Sequence, residues 1–493
     1  MAIRTVIDGW LNGMSRLSPC DVTLVLHTSC VNFQYEDLQY LRKIGMPWCI
    51  PDNVRIELEL LTQNGRDYGD SPLSRRAEWI LRNTDLSGRT ADGKPWDLEQ
   101  LYLPRGQLGS VDSDRIARGP MLFLFGDRYK MYEFLEHSRE LRGHYVLVLQ
   151  EKEWSCTRGR VAGFSDEQEA LRNSARSFWS GRECLPVDTE QRTCPKDQLR
   201  RIRLLNNLGV NQVRGLGIPG AILSDEVGSG SYATVYRAPS GLREELVKLY
   251  KDWDLVGNGI GKIRALAACS SSVGHLPLAM PRLMLQWSAD QNREPRVIGY
   301  TMKTLKGEPA RSITLGQWPD GVDPGRLLRR IGALLVEVHA RGMLCNDLSY
   351  NNVLVSEDGN VGFVDCDSFQ IRGYPGGQIT SIYRHPELSE ADCERMLRKP
   401  IHEYFAFTVL MYQLIMGVID PLNAVQEESN QKRDWKNTGF PLEWNTTKSS
   451  AVGSAILDRW NDQDEATRRL FADVFRFRSS PSIGAILREL DLL

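Results

Sequence analysis

Residues 345–355 read CNDLSYNNVLV and residues 362–371 read GFVDCDSFQI. Asp347 and Asn352 stand five positions apart in a loop-like segment that runs into the apolar Val353, Leu354 and Val355. Asp365 follows thirteen positions after Asn352, at the end of the run Val361, Gly362, Phe363, Val364. The turn formers Glu357, Asp358, Gly359 and Asn360 separate the two apolar runs, which predicts two short strands in a hairpin with the three polar groups at one edge. That set suits phosphoryl transfer. Asp347 could orient an attacking hydroxyl and accept its proton, while Asn352 and Asp365 could hold Mg2+ bridging the phosphates. Taken singly, each has a plainer reading: Asp347 and Asn352 as loop caps, Asp365 as a solvated strand end.

Upstream, residues 227–237 read VGSGSYATVYR between apolar, strand-like stretches. Gly228 and Gly230 allow a turn whose backbone N–H groups can approach phosphates, because no Cβ intervenes. Such glycines alone also suit any tight hairpin. Lys248 lies in the alternating run Leu246, Val247, Lys248, Leu249, Tyr250. It is either a phosphate-neutralising ammonium or an ordinary strand-edge lysine. Asp323 and Pro324 read as an N-cap and first-turn proline, and Leu327, Leu328, Ile331, Leu334, Leu335 and Val338 recur at helical spacing until Gly342. This helix would deliver the chain into the Asp347 loop.

The chain of 493 residues exceeds what one hydrophobic core normally serves. Lys plus Arg (61) and Asp plus Glu (63) nearly cancel, so bulk charge neither recruits nor excludes nucleic acid. The longest apolar stretch, Phe405 to Val418, is too short for a membrane span and reads as a buried helix. The start, MAIRTVIDGWLNGM, lacks the long apolar core of a secretory signal, and ten cysteines without a repeated spacing fit reduced thiols. The expectation is a cytoplasmic protein without a membrane partner.

Over residues 220–493 the chain resembles the protein kinase superfamily. The resemblance implies an α+β bilobal kinase-like domain, with a small lobe at 220–314 and a large lobe at 315–493. It implies ATP with Mg2+ or Mn2+ as cofactors and a protein substrate or regulatory partner. The glycine-rich loop would run from Gly228 through Gly230 and Ala233 to Val235, the strand lysine would be Lys248, the catalytic aspartate Asp347, and the metal ligands Asn352 and Asp365. His385 to Glu387 would end the segment Ser368 to Arg384, in which Tyr374, Thr380, Ser381 and Tyr383 are candidates for modification. The D-C-D-S-F-Q sequence in place of D-F-G is similar to that of bacterial helix-hairpin-helix-associated kinase-like proteins, some linked to tellurite-resistance-type systems.

Four departures bear on activity. Ala233 replaces the third loop glycine, and Asn346 takes the place of the arginine before the catalytic aspartate. Ser349 stands where a phosphate-contacting lysine is common, and Asp367 could bind a second metal or repel substrate. Residues 258–268, the expected helix, provide Lys262 and Arg264 but no glutamate to pair with Lys248. Asp252, Asp254, Glu294 and Asp365 are the alternatives. An unpaired lysine in a closed cleft is costly unless ATP supplies the counter-charge.

Residues 1–160 alternate apolar strands (Val22 to Leu26, Met121 to Phe125, Tyr145 to Leu149) with amphipathic stretches at Tyr35 to Ile44 and Ser74 to Leu86. That pattern predicts a three-layer α/β domain. Residues 161–219, with Pro186, Pro195 and Pro219, read as a linker with a helical segment whose basic patch at Arg200, Arg201 and Arg203 is either a nucleic-acid contact or a solvated face. Glu57, Asp112, Asp114 and Asp127 could place carboxylates at strand ends, where they hold Mg2+ or Mn2+ or merely solubilise the surface. Over residues 20–155 this arrangement resembles a PIN-type nuclease domain, which implies nucleic acid as a partner. Glu57, Asp114 and Asp127 match that family's acidic positions, with Asp112 a neighbour, and His27 replaces its first aspartate. Such a replacement weakens a Mg2+ site, and His27 is equally readable as a hydrogen-bonded core histidine. Three functions are thus in view: a serine/threonine-type protein kinase, a nucleotide-binding pseudokinase governing the amino-terminal domain, and a metal-dependent RNA or DNA nuclease controlled by the kinase-like part.

Overall fold

The structure, a computed structural model, describes residues 18–85, 88–90, 92–101, 116, 119–137, 145–148, 160–163, 213–214, 226–230, 232–238, 245–250, 259–287, 296–314, 322–371, 373–389, 393, 396–417, 454–477 and 480–492. Asp112, Asp114, Asp252, Asp254, Glu294 and the Arg200, Arg201, Arg203 patch lie outside the described residues.

The amino-terminal strands are β1 (Thr23–Leu26), β2 (Trp48–Cys49), β3 (Met121–Phe125), β4 (Tyr145–Val148) and β5 (Arg160–Gly163). They form one sheet in the order β2-β1-β3-β4-β5, parallel except for the antiparallel edge strand β5. The continuous apolar run MLFLF in β3 is what a strand covered on both faces requires. Leu122 and Leu124 join Leu24 and Leu26 in one cluster, while Phe123 and Phe125 join Val25, Trp96 and Phe134 in another. Helices α1 (Tyr35–Lys43), α2 (Asp52–Tyr68), α3 (Pro72–Arg82) and α4 (Arg128–His137) accompany the sheet. Ser71 caps α3 by accepting from Ser74 N, with Pro72 in the first turn, where its missing N–H costs nothing.

A second sheet is antiparallel throughout. It comprises β6 (Val213–Arg214), β7 (Glu226–Ser229), β8 (Ala233–Arg237), β9 (Glu245–Tyr250), β10 (Met284–Trp287) and β11 (Arg296–Lys303), ordered β6-β10-β11-β9-β8-β7. Its edge strand β6 comes from the stretch that the sequence assigns to a linker. Helix α5 (Gly259–Ser270) connects β9 to β10 in the chain.

Beyond β12 (Glu308–Pro309) and α6 (Ala310–Thr314) comes α7 (Pro324–Ala340), its first turn held by Asp323, which accepts from Gly325 N and Arg326 N. After it lie β13 (Met343–Leu344), β14 (Val353–Val355), β15 (Val361–Phe363) and β16 (Gln370–Ile371). β14 and β15 form the antiparallel hairpin, in register Val353 to Phe363. Helices α8 (Pro400–Met416), α9 (Ser454–Asn461), α10 (Glu465–Phe477) and α11 (Ile483–Glu489) complete the chain. α8 is buried almost all round, as its apolar sequence demands. No helix among the described residues is long and apolar enough to cross a membrane.

The amino-terminal helices pack directly on the carboxy-terminal ones. α2 lies against α7 and α11, and a single apolar cluster runs from Leu24 and Leu61 through Leu334 to Ile486. Polar ties border it: Asn53 Nδ2 donates to Ser482 Oγ at 3.0 Å and Asn64 Nδ2 to Ala333 O at 2.8 Å. Arg488 grips Asp97 through two hydrogen bonds of 2.6 Å and reaches Asp52 at 3.1 Å.

Candidate phosphoryl-transfer site

The site is assembled from the β7–β8 turn, β9, the Asp347 loop and the turn after β15. In the first, Gly230 N donates to Ala233 O at 2.9 Å, and Gly228 pairs with Val235. A Cβ at Gly228 would meet nothing within 4 Å, so neighbouring protein atoms do not demand glycine there. Val235 in turn pairs with Lys248, which pairs with Tyr300 on β11 and so sits in the middle of the sheet.

Lys248 has two carboxylate partners. Its ammonium contacts Asp365 and donates to Asp367 Oδ1 at 2.7 Å, and Tyr250 OH donates to Asp367 Oδ2 at 2.8 Å. Burial alone would lower the pKa of Lys248, but the charges of Asp367 and Asp365 outweigh it and hold the ammonium above the ordinary lysine range. Asp367, which the sequence offered to metal or to substrate repulsion, is thus a partly buried counter-ion. α5 contributes Lys262 instead of a carboxylate: it is buried, donates to Gly376 O at 2.7 Å, and is pushed down to about 7 by burial.

The Asp347 loop is fastened from behind. Glu403 on α8 accepts from Cys345 N at 2.7 Å and Asn346 N at 3.2 Å, and His339 Nε2 donates to its other oxygen at 2.5 Å. Asn346 adopts the left-handed conformation at φ 62°, and Arg398 Nη1 donates to its carbonyl at 3.0 Å. Asn352 Nδ2 donates to Asp347 Oδ2 and to Asp347 O, both at 2.9 Å, while Val364 N donates to Asn352 O at 2.9 Å. Asp347 and Asn352 therefore share one edge with Asp365, whose charge Asp347 also perturbs. Asp365 is left-handed at φ 61°, a conformation that aspartate tolerates better than most residues and that orients its carboxylate toward Lys248.

The segment after β16 covers this edge. Thr380 N donates to Asp347 Oδ1 at 3.0 Å, Tyr232 beside the glycine turn contacts Gln378, and Arg398 contacts Gly377 O. Thr380 and Ser381 are exposed and Tyr374 is half-buried, whereas Tyr383 is buried, donating to Gln413 Oε1 at 2.5 Å and accepting from Tyr350 N at 3.1 Å. Ser349 is buried as well, at 1 % exposure.

The described amino-terminal candidates have Lys130 as a common neighbour. Glu57 accepts from Thr28 Oγ1, and Gly484 of α11 packs against its stem. Burial raises its pKa despite nearby Lys130 and His339. His27 caps a short 3-10 turn by accepting from Ser29 N at 3.0 Å and stacks on Phe125 at 5.1 Å. Asp127 Oδ1 accepts from Lys130 N at 3.2 Å at the start of α4. Among the described residues, the one trio with ligand atoms within 4.8 Å of each other is instead His385, Glu387 and His402. There Nδ1 of His402 accepts from Lys399 N at 3.2 Å and Nδ1 of His385 from Glu387 N at 3.3 Å, so each Nε2 carries the proton. A metal would have to displace it. The trio reads as a hydrogen-bonded tie between residues 385–387 and the start of α8.

Glu403, Arg398 and the ion-pair role of Asp367 are the site features that the sequence reading missed. Of these only Glu403 left a local signal, a lone carboxylate at the start of a mostly apolar helix. No protein-family model matches the chain, and no curated protein matches it.

Proposed function

We propose that this chain is an ATP-dependent protein kinase of the serine/threonine type, with the second sheet and the helical region serving as the small and large lobes of a kinase-like fold. The observation that carries the reading is convergence. Lys248, Asp347, Asn352 and Asp365 are spread over more than a hundred residues, yet Lys248 pairs with Asp365, Asn352 donates to Asp347, and the bond from Val364 N to Asn352 O sets the two pairs side by side. In this reading ATP lies with its phosphates under the Gly228–Gly230 turn and beside Lys248. Asn352 and Asp365 hold Mg2+ or Mn2+, and Asp347 orients the accepting hydroxyl. The metal neutralises charge on the transferring phosphoryl group, and the residues do the positioning.

A pseudokinase form of the same reading draws on one observation: Thr380 N occupies Asp347 Oδ1, so the acceptor hydroxyl has access only when residues 373–383 shift. The nuclease alternative has less support, since the Lys130 cation stands close enough to Glu57 and His27 to act on both, where it would oppose a bound metal ion. Incubation with γ-labelled ATP and Mg2+ or Mn2+, beside Asp347→Asn and Asp365→Ala, tests the kinase reading. The expected result is label on protein hydroxyls in the wild type alone. Label persisting in both variants would remove the assignment, and nucleotide binding without transfer under all conditions would favour the pseudokinase.

A further inference from the structure

We propose that Asp367 is the positioning residue for Lys248 in nucleotide binding, which leaves Asp365 exchangeable, able to leave the lysine for the metal. The inference rests on the kinase-like reading of the same cleft and names a part of it that no residue of α5 can play.

Asp365 and Asp367 both touch the Lys248 ammonium, yet their surroundings differ. The Asp367 side chain is 11 % exposed and the Asp365 side chain 43 %. Asp367 spends its second oxygen on Tyr250 OH, so its whole carboxylate is fixed. Two carboxylates on one ammonium repel each other, and the environment divides their tasks. Asp367, held by both Lys248 and Tyr250, is the fixed partner of the pair.

Both carboxylates ride on one short turn. Ser368 N donates to Asp365 O at 3.0 Å, and the buried Cys366 donates from Sγ to Phe363 O at 3.3 Å. Helix α5 packs against that turn, but Lys262 turns to Gly376 O. Lys248 is therefore placed by the turn that also carries the metal-binding carboxylate.

The test is a double-mutant cycle on the full chain, read by titration with a fluorescent ATP analogue with and without Mg2+. Asp367→Asn and Lys248→Met should each weaken Mg2+-free affinity about tenfold, the scale of one lost charge-assisted hydrogen bond. The double variant should be no weaker than Lys248→Met alone, because Asp367 acts through the lysine. Asp365→Asn should keep the Mg2+-free affinity and lose the gain that Mg2+ brings. Affinity of Asp367→Asn within twofold of wild type, or a double variant equal to the product of the singles, would overturn the proposal. If Asp367→Asn unfolds, the double variant, in which both charges are gone, should refold; failure of that rescue also counts against it. A wild type that binds no nucleotide while the stability cycle still couples Lys248 to Asp367 would refute the kinase-like reading and leave a structural ion pair.

Discussion

Gly484→Ala tests whether the amino-terminal sheet domain and the carboxy-terminal helices form one packed unit. Gly484 lies in α11 where a Cβ would stand 2.5 Å from Asn53 O and 3.3 Å from both Asn53 C and Glu57 Cγ. Two effects oppose each other. Alanine is the better helix former by about 1 kcal/mol. Against this, the obstructing atom is backbone in α2 and cannot rotate away, and overpacking of this kind costs about 1–3 kcal/mol. If α11 slides outward to relieve the clash, it lengthens the 3.0 Å bond from Asn53 Nδ2 to Ser482 Oγ and pulls Arg488 from Asp97. One weakened buried hydrogen bond adds about 1 kcal/mol. The net expectation is a loss of about 2 kcal/mol, read as a lower urea midpoint at an unchanged slope. A variant as stable as the wild type, or more stable, would mean that α11 and α2 are not in contact and that helix propensity decides.

Three further outcomes follow from individual charged side chains. Lys262 is held down to about 7 in the folded chain against 10.5 for a free lysine, so the unfolded chain binds its proton more tightly. Stability should then rise with pH between about 7 and 10.5 by up to about 1.4 kcal/mol per unit, and Lys262→Met should flatten that rise in chemical-denaturation curves. Glu387 is lowered to about 2, by its bond to His402 first, so its contribution is present above the free value of 4.5 and is lost as pH falls from there through about 2. Glu387→Gln should lose that acid limb in a pH series of melting temperatures, the size being reduced because the carboxylate is half exposed. Glu403→Gln removes the charge that accepts from Cys345 N, Asn346 N and His339 Nε2, and should lower kcat for transfer about tenfold or more while KM for ATP changes little. Equal changes in both would point to general unfolding of the cleft.

The parts of the fold that were legible in the sequence are those fixed by local chemistry. Asp323 with Pro324 and the apolar period gave α7, and the turn formers at 357–360 between two β-branched runs gave the β14–β15 hairpin that brings Asn352 beside Asp365. The glycines at 228 and 230 and the alternation around Lys248 gave β7 to β9. Edge strands β5 (RVAG) and β6 (VR) escaped because neither contains an apolar run of the kind that marked β1, β3 and β4. Of the two counter-ions of Lys248, Asp365 was among the candidates read from the sequence, whereas Asp367 escaped because it reaches the lysine across 119 positions through a turn whose left-handed start at Asp365 has no unambiguous sequence mark. Contacts such as Arg488 with Asp97, 391 positions apart, depend wholly on how α2 and α11 dock. Glu57 shows the same limit: its bond from Thr28 lies within the amino-terminal region, but the Gly484 face against its stem depends on docking.

The central claim is that one cleft holds ATP through Lys248 and a metal through Asn352 and Asp365. The most direct measurement is a crystal structure with a non-hydrolysable ATP analogue and Mn2+, whose anomalous scattering locates the ion. The account predicts the ion between Asn352 and Asp365, the phosphates under the Gly228–Gly230 turn, and Lys248 still on Asp367. Nucleotide bound elsewhere, or Mn2+ found at Glu57 and Asp127 with the Lys248 cleft empty, would contradict it.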